Sequence, residues 1–92
     1  MITSDGKMNA RDRLLICWLL AEEIRDLART APMNSMQERG EIVTRAIFIA
    51  IAATGRAAML LEYRQQIEAY LARAIAKAAS EQPSPPAQGE SP

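Results

Sequence analysis

The residues able to do chemistry in this chain are few, and they lack the partners that chemistry needs. Among 92 residues there is no His, which removes the usual general base and the commonest metal ligand. The single Cys, Cys17, lies inside the apolar run LLICWLLA at residues 14–21, a setting that raises a thiol pKa and leaves it inert. One Cys closes no intrachain disulfide and makes no thiolate zinc site. Glu22 and Glu23 are neighbours in sequence, about 100° apart on a helix, so they do not form an acid/base dyad. Glu62 and Glu68 have no partner at a catalytic spacing. Gly6, Gly40, Gly55 and Gly89 are isolated, and no GxGxxG or GxxxxGK phosphate loop is present. The chain is therefore expected to be non-enzymatic, with no catalytic residue, metal ligand or cofactor.

Two arginines stand apart from this. Arg45 and Arg56 are eleven residues apart, about 20° from eclipsed if one helix runs through both, which would put them on one face near Thr44 and Thr54. Across a two-fold axis such a face would offer four guanidinium groups to a small anionic, nucleotide-like ligand by bidentate hydrogen bonds. The competing expectation is structural. Arg45 would pair with Glu41, four residues before it, and Arg56 with a carboxylate of the first helix or of a neighbouring subunit.

The elements that must position these groups are helices. A first helix is predicted over residues 9–30, capped by Asn9, with a spine of Cys17, Leu20, Ile24, Leu27 and Ala31 at 3-4-3-4 spacing. Pro32 ends it, because the residue before a proline is pushed out of the helical region. Ser35-Met36-Gln37-Glu38 fits a capping box and opens a second helix, predicted over residues 36–79. With so short a connection, the two helices are expected to form an antiparallel hairpin. Gly55 is the one place where the second helix can break; with no proline or capping residue after it, a continuous or gently kinked long helix is expected. Residues 1–8 are expected to be a flexible lead-in. Residues 80–92, SEQPSPPAQGESP, hold four of the five prolines and are expected to be a disordered tail.

Over residues 19–45, the order of a helix, Pro32, and then Ser35, Glu38, Arg39, Thr44 and Arg45 opening a second helix is similar to small helical-hairpin phage proteins that sequester cyclic-oligonucleotide immune signals. The similarity covers under a third of the chain, and the remainder of the second helix departs from that pattern. Family membership is not drawn from it. It implies a small anionic ligand as the alternative to a protein partner.

The apolar fraction of 49% and charged fraction of 24% are those of one folded domain, over residues 9–79, and the formal net charge is zero. With no net charge, no strongly basic stretch and few aromatics, a DNA-binding dimer is the weakest of the alternatives. Nine of the eleven basic residues are Arg and 17 residues are Ala, a composition that fits a bacterial, phage or plasmid gene. Neither apolar run, residues 14–21 nor residues 46–55, approaches the roughly 20 residues that span a bilayer, and no export signal is visible, so a cytoplasmic protein without a membrane partner is expected.

Eight successive apolar residues cover the whole helical wheel, so residues 14–21 are expected to be buried all round, and residues 46–53 likewise. Bulky Leu14, Leu15 and Trp18 would lie in a groove of small residues, Ala46, Ala50, Ala53 and Ala57. A chain this small cannot bury that much apolar surface alone, which points to a homodimer or larger helical bundle joined through Leu15, Trp18, Leu19, Ile47, Ile49 and Ile51. The outer half of the long arm, with Tyr63, Ile67, Tyr70 and Leu71, is the candidate surface for a different protein. The function expected from this pattern is that of an all-α regulatory or inhibitory protein acting by protein–protein interaction.

Overall fold

The computed structural model describes residues 1–30 and 35–81, and those residues are all-α: α1 (Ala10–Thr30), α2 (Met36–Thr54), α3 (Ala57–Glu62) and α4 (Arg64–Glu81). The Pro32 turn and the tail beyond residue 81 lie outside the described residues. Asn9 caps α1, its Oδ1 accepting from the Arg11 amide at 2.7 Å and from the Asp12 amide at 3.4 Å. Ser35 caps α2, its Oγ accepting from the Glu38 amide at 3.4 Å. The expected return bond from Glu38 is replaced by burial: its Oε1 has no hydrogen-bond partner among the described residues.

The expected long second helix does not form. Gly55 adopts φ 65°, ψ 25°, the left-handed conformation that ends helices, and its amide donates to Ile51 O at 3.1 Å. Arg13 of α1 then takes up two carbonyls that α2 leaves open, with Nε donating to Ala52 O and Nη2 to Ala53 O, both at 2.8 Å. The capping group missing from the local sequence is thus supplied from 39 residues away. Tyr63 makes a second, milder interruption between α3 and α4.

Beyond Gly55 the chain folds back. Glu23 of α1 holds Arg45 of α2 through one oxygen and Arg73 of α4 through the other. On a single rod those arginines would be about 42 Å apart. Between α1 and α2, Arg13 meets Ala52 and Ala53, Cys17 meets Ile49 and Glu23 meets Arg45. Packed against both, α3 and α4 close a core of Ile16, Leu19 and Leu20 from α1, Phe48, Ile51 and Ala52 from α2, and Leu60, Ile67, Leu71 and Ala74. The α1 spine is therefore turned by about one residue from the expected one, with Ile16 and Leu19 inside and Cys17 only half-buried.

Residues 1–8, expected to be a flexible lead-in, are anchored to the helices by buried Ile2, Gly6 and Met8. Ile2 is 2% exposed and Met8 9%, the two forming an antiparallel bridge inside the core cluster. Both backbone polar groups of Ile2 are satisfied by α4: Arg64 Nη2 donates to its carbonyl at 3.0 Å, and its amide donates to Glu68 Oε2 at 3.1 Å. Gly6, at φ 83°, lies so close to the start of α3 that an added Cβ would fall 2.7 Å from Ala57 Cβ. Among the described residues, no helix is long and apolar enough to cross a membrane.

Candidate functional site

The sequence-derived sites are redistributed by the fold-back at Gly55. Of the expected assembly residues, Leu19 and Ile51 lie in the chain's own core, and Leu15, Trp18 and Ile49 lean against it. Trp18 also carries Lys77 Nζ 5.7 Å from its ring centroid. Ile47 alone of the six is fully on the surface, at 53% exposure. The proposed outer surface of the long arm is internal. Ile67 and Leu71 are core residues, while Tyr63 and Tyr70 pack their rings 5.6 Å and 5.2 Å from that of Phe48. With α4 folded onto α1, the side of the helix that bears these residues is consumed in closing the domain.

Arg45 and Arg56 are not brought onto one helix face, because the break at Gly55 separates them. Arg45 sits within α2 and Arg56 is the exposed residue that precedes α3. Arg45 Nε donates to Glu23 Oε1 at 2.8 Å and Nη1 to Glu41 Oε1 at 2.5 Å. Burial works against its charge, but the hydrogen bonds it donates to Glu41 and Glu23 outweigh that and raise its pKa above the ordinary arginine value. The structural expectation for Arg45 is what the geometry displays, with Glu23 added. Other carboxylates are paired in the same way, Glu22 with Arg25 at 2.6 Å and Glu68 with Arg64 at 3.5 Å. Burial pushes the Cys17 thiol up, against the opposing charge of Arg13, and its Sγ donates to Ile49 O at 3.7 Å. No group of three potential metal ligands occurs among the described residues.

What the fold leaves outside is an apolar face on α1 and α2, with Arg13 as the charged residue at the groove between them. The expectation that residues 14–21 and 46–53 are buried all round is corrected: Leu14 is 70% exposed, and Ala46, Ile47, Ala50 and Ala53 face solvent. The expected seat of Ala46, Ala50, Ala53 and Ala57 for Leu14, Leu15 and Trp18 is therefore not buried: all four alanines are exposed, and the small residue buried in α2 is Ala52. Along α2, Gly40, Val43, Ile47, Ala50 and Thr54 recur at 3-4-3-4 spacing, and no exposed residue between 43 and 54 is charged. Along α1, Ala10, Leu14, Cys17 and Ala21 repeat the same spacing. The two stripes meet at a groove of about 240 Å³ lined by Ala10, Arg13, Leu14 and Cys17 from α1 and by Ala52 and Ala53 from α2. An outward heptad-like stripe is the pattern by which helices seat against further helices. The signal for it was present in the spacing of α2, but α2 is apolar on its inner side as well, so periodicity alone did not separate the two faces.

No family model matches the chain, and no curated protein or solved structure matches it either.

Proposed function

We propose that this protein is a small non-enzymatic regulatory or inhibitory module that works by binding protein through the outer face of α1 and α2. In this reading α1 and α2 form an antiparallel helical hairpin, α3 and α4 cover one side of it, and the other side is completed by another polypeptide. The observation that carries it is the exposure of Leu14, Val43 and Ile47, at 70%, 56% and 53%, on a face without charge over residues 43–54. Scattered single apolar side chains are ordinary on a protein surface; a contiguous stripe on two adjoining helices marks an interaction site. The groups with chemistry suited to catalysis or ligand binding are engaged in holding the fold: Arg45 and Arg73 on Glu23, Arg13 on the end of α2, Cys17 turned onto Ile49.

The test is a photo-crosslinking amino acid placed at Val43, at Ile47 and, as control, at the exposed Gln65 of α4, in the intact chain produced in cells. Polypeptide adducts are expected from positions 43 and 47 and not from 65. Absence of adducts at both α2 positions in a folded protein overturns the reading.

A further inference from the structure

We infer that the occupant of the α1/α2 face is a second copy of this chain, docked about a two-fold axis that sets α2 antiparallel to α2. This rests on the protein-binding reading above and commits it to one partner. A two-fold contact is isologous: the same patch serves both copies, so the patch must carry its own knobs and its own holes, and must tolerate meeting itself. This face satisfies both conditions. Its knobs are Leu14, Val43 and Ile47, and its holes are the small residues Ala50 and Ala53 with the groove of about 240 Å³ beside them. A cavity of roughly 150 Å³ takes a benzene-sized group, so the groove has room for an aliphatic side chain.

The spacing selects the register. With the axis passing between Ile47 and Ala50, antiparallel pairing of the two α2 helices sets Ile47 against Ala50 of the second copy. The same operation sets Val43 against Thr54, with Ala53 alongside. At the centre of the seam a large residue then meets a small one, and Ala50 permits close approach of the helices. Electrostatics agree. A two-fold axis brings identical residues near each other, so a charge close to it would be repelled by its own image; between residues 43 and 54 no exposed side chain carries one. Copies with zero formal net charge also have no long-range repulsion to overcome. The size is that of a weak, concentration-dependent association. In this register α2 meets its copy over residues 43–54, a length of about 18 Å, and two helices side by side are about 20 Å wide, so the contact buries about 700 Å² over both copies.

The experiment is sedimentation equilibrium of the full chain over a concentration series, with far-ultraviolet circular dichroism of every variant. The wild type is expected to approach twice the 10.1 kDa chain mass as the series reaches hundreds of micromolar. Ile47→Asp places a charge beside the axis, and Ala50→Trp fills the hole opposite Ile47. Each is expected to weaken association at least about 100-fold at unchanged helicity, because both residues are exposed in the single chain. Ile75→Asp, equally exposed at 51% but on α4, is expected to leave the dimer intact. A dimer that survives Ile47→Asp and Ala50→Trp, or that dissociates only with Ile75→Asp, overturns the proposed face. A wild-type monomer with a foreign polypeptide crosslinked at position 47 overturns the second copy and keeps the protein-binding reading. A monomer with no adduct overturns both.

Discussion

The end of α2 depends on a side chain from another helix, and this makes Arg13 the most informative position to perturb. Arg13→Met keeps most of the aliphatic stem and removes both donors to Ala52 O and Ala53 O. A hydrogen bond from a charged group contributes about 1.5–3 kcal/mol when shielded from solvent. Arg13 is only half-buried and the bond to Ala53 is exposed, so about 2 kcal/mol is the expected total. In a domain of this size that lowers Tm by about 8–16 °C. Gly55→Ala attacks the same junction from the other side. It forces a left-handed non-Gly residue, at about 1 kcal/mol, and its Cβ would fall 2.5 Å from Arg13 Cζ, displacing the guanidinium. Singly it should cost about 3 kcal/mol; in the Arg13→Met background, where no guanidinium is left to displace and the flexible Met methyl can move aside, it should cost only about 1 kcal/mol. The assay is urea denaturation followed by circular dichroism at one fixed protein concentration, so that self-association does not enter the comparison. The cycle should show a coupling of about 2 kcal/mol. Additive penalties, or an Arg13→Met variant within about 0.5 kcal/mol of wild type, would refute the cross-helix cap.

Three further outcomes follow from the same geometry. Ile2→Ala should destabilise the protein by about 2–4 kcal/mol in the same urea assay, because Ile2 is 2% exposed in the core; a shift below about 0.5 kcal/mol would return residues 1–8 to the status of a loose lead-in. Glu23→Ala removes the carboxylate shared by Arg45 and Arg73 and should cost about 1–2 kcal/mol, less in high salt, while Glu41→Ala, on the exposed side of Arg45, should cost less than half as much. Cys17 has its thiol pKa raised by burial, so the folded state favours the protonated form. The stability this contributes is complete below the ordinary thiol range and is lost as pH rises through the raised value. Iodoacetamide at pH near 8.5 should therefore modify Cys17 at least about tenfold more slowly in buffer than in urea, and equal rates would contradict the burial of its sulfur.

Much of the fold is legible in the residues because it is dictated locally. Asn9 and Ser35 announce helix starts through side-chain oxygens that reach amides two or three residues on, and nothing distant interferes with that chemistry. The all-α class follows from the same periodicity. Gly55 shows where local reading ends. A glycine flanked by Thr54 and Arg56, with no capping side chain after it, is consistent with a helix that continues. The stop is enforced by Arg13, 42 residues earlier, and by Gly6 packing against Ala57, neither of which leaves a mark near residue 55. Residues 1–8 escape for a related reason. Two apolar residues six positions apart, Ile2 and Met8, carry no periodic signal, and their burial depends on Arg64 and Glu68 being on hand to satisfy the backbone of Ile2.

The candidate surface was displaced by one event, the direction of α4. An amphipathic helix declares that it has an apolar side, not what covers it. Drawn as an extension of α2, α4 leaves Tyr63, Ile67, Tyr70 and Leu71 without a neighbour, and they qualify as a docking surface. Folded back, the same residues meet Phe48, Leu19 and Leu20 and become the core. The apolar surplus of the chain is not abolished by this but moved. The helix α2 bears apolar residues around most of its circumference, and α1, α3 and α4 cover only the part that holds Phe48, Ile51 and Ala52. What is left over, Val43, Ile47 and Ala50 with Leu14 beside them, is therefore the apolar surface that the chain's own helices do not cover. Excess apolar surface was readable from residues 14–21 and 46–53, and its location required knowing which way the chain turns after Gly55.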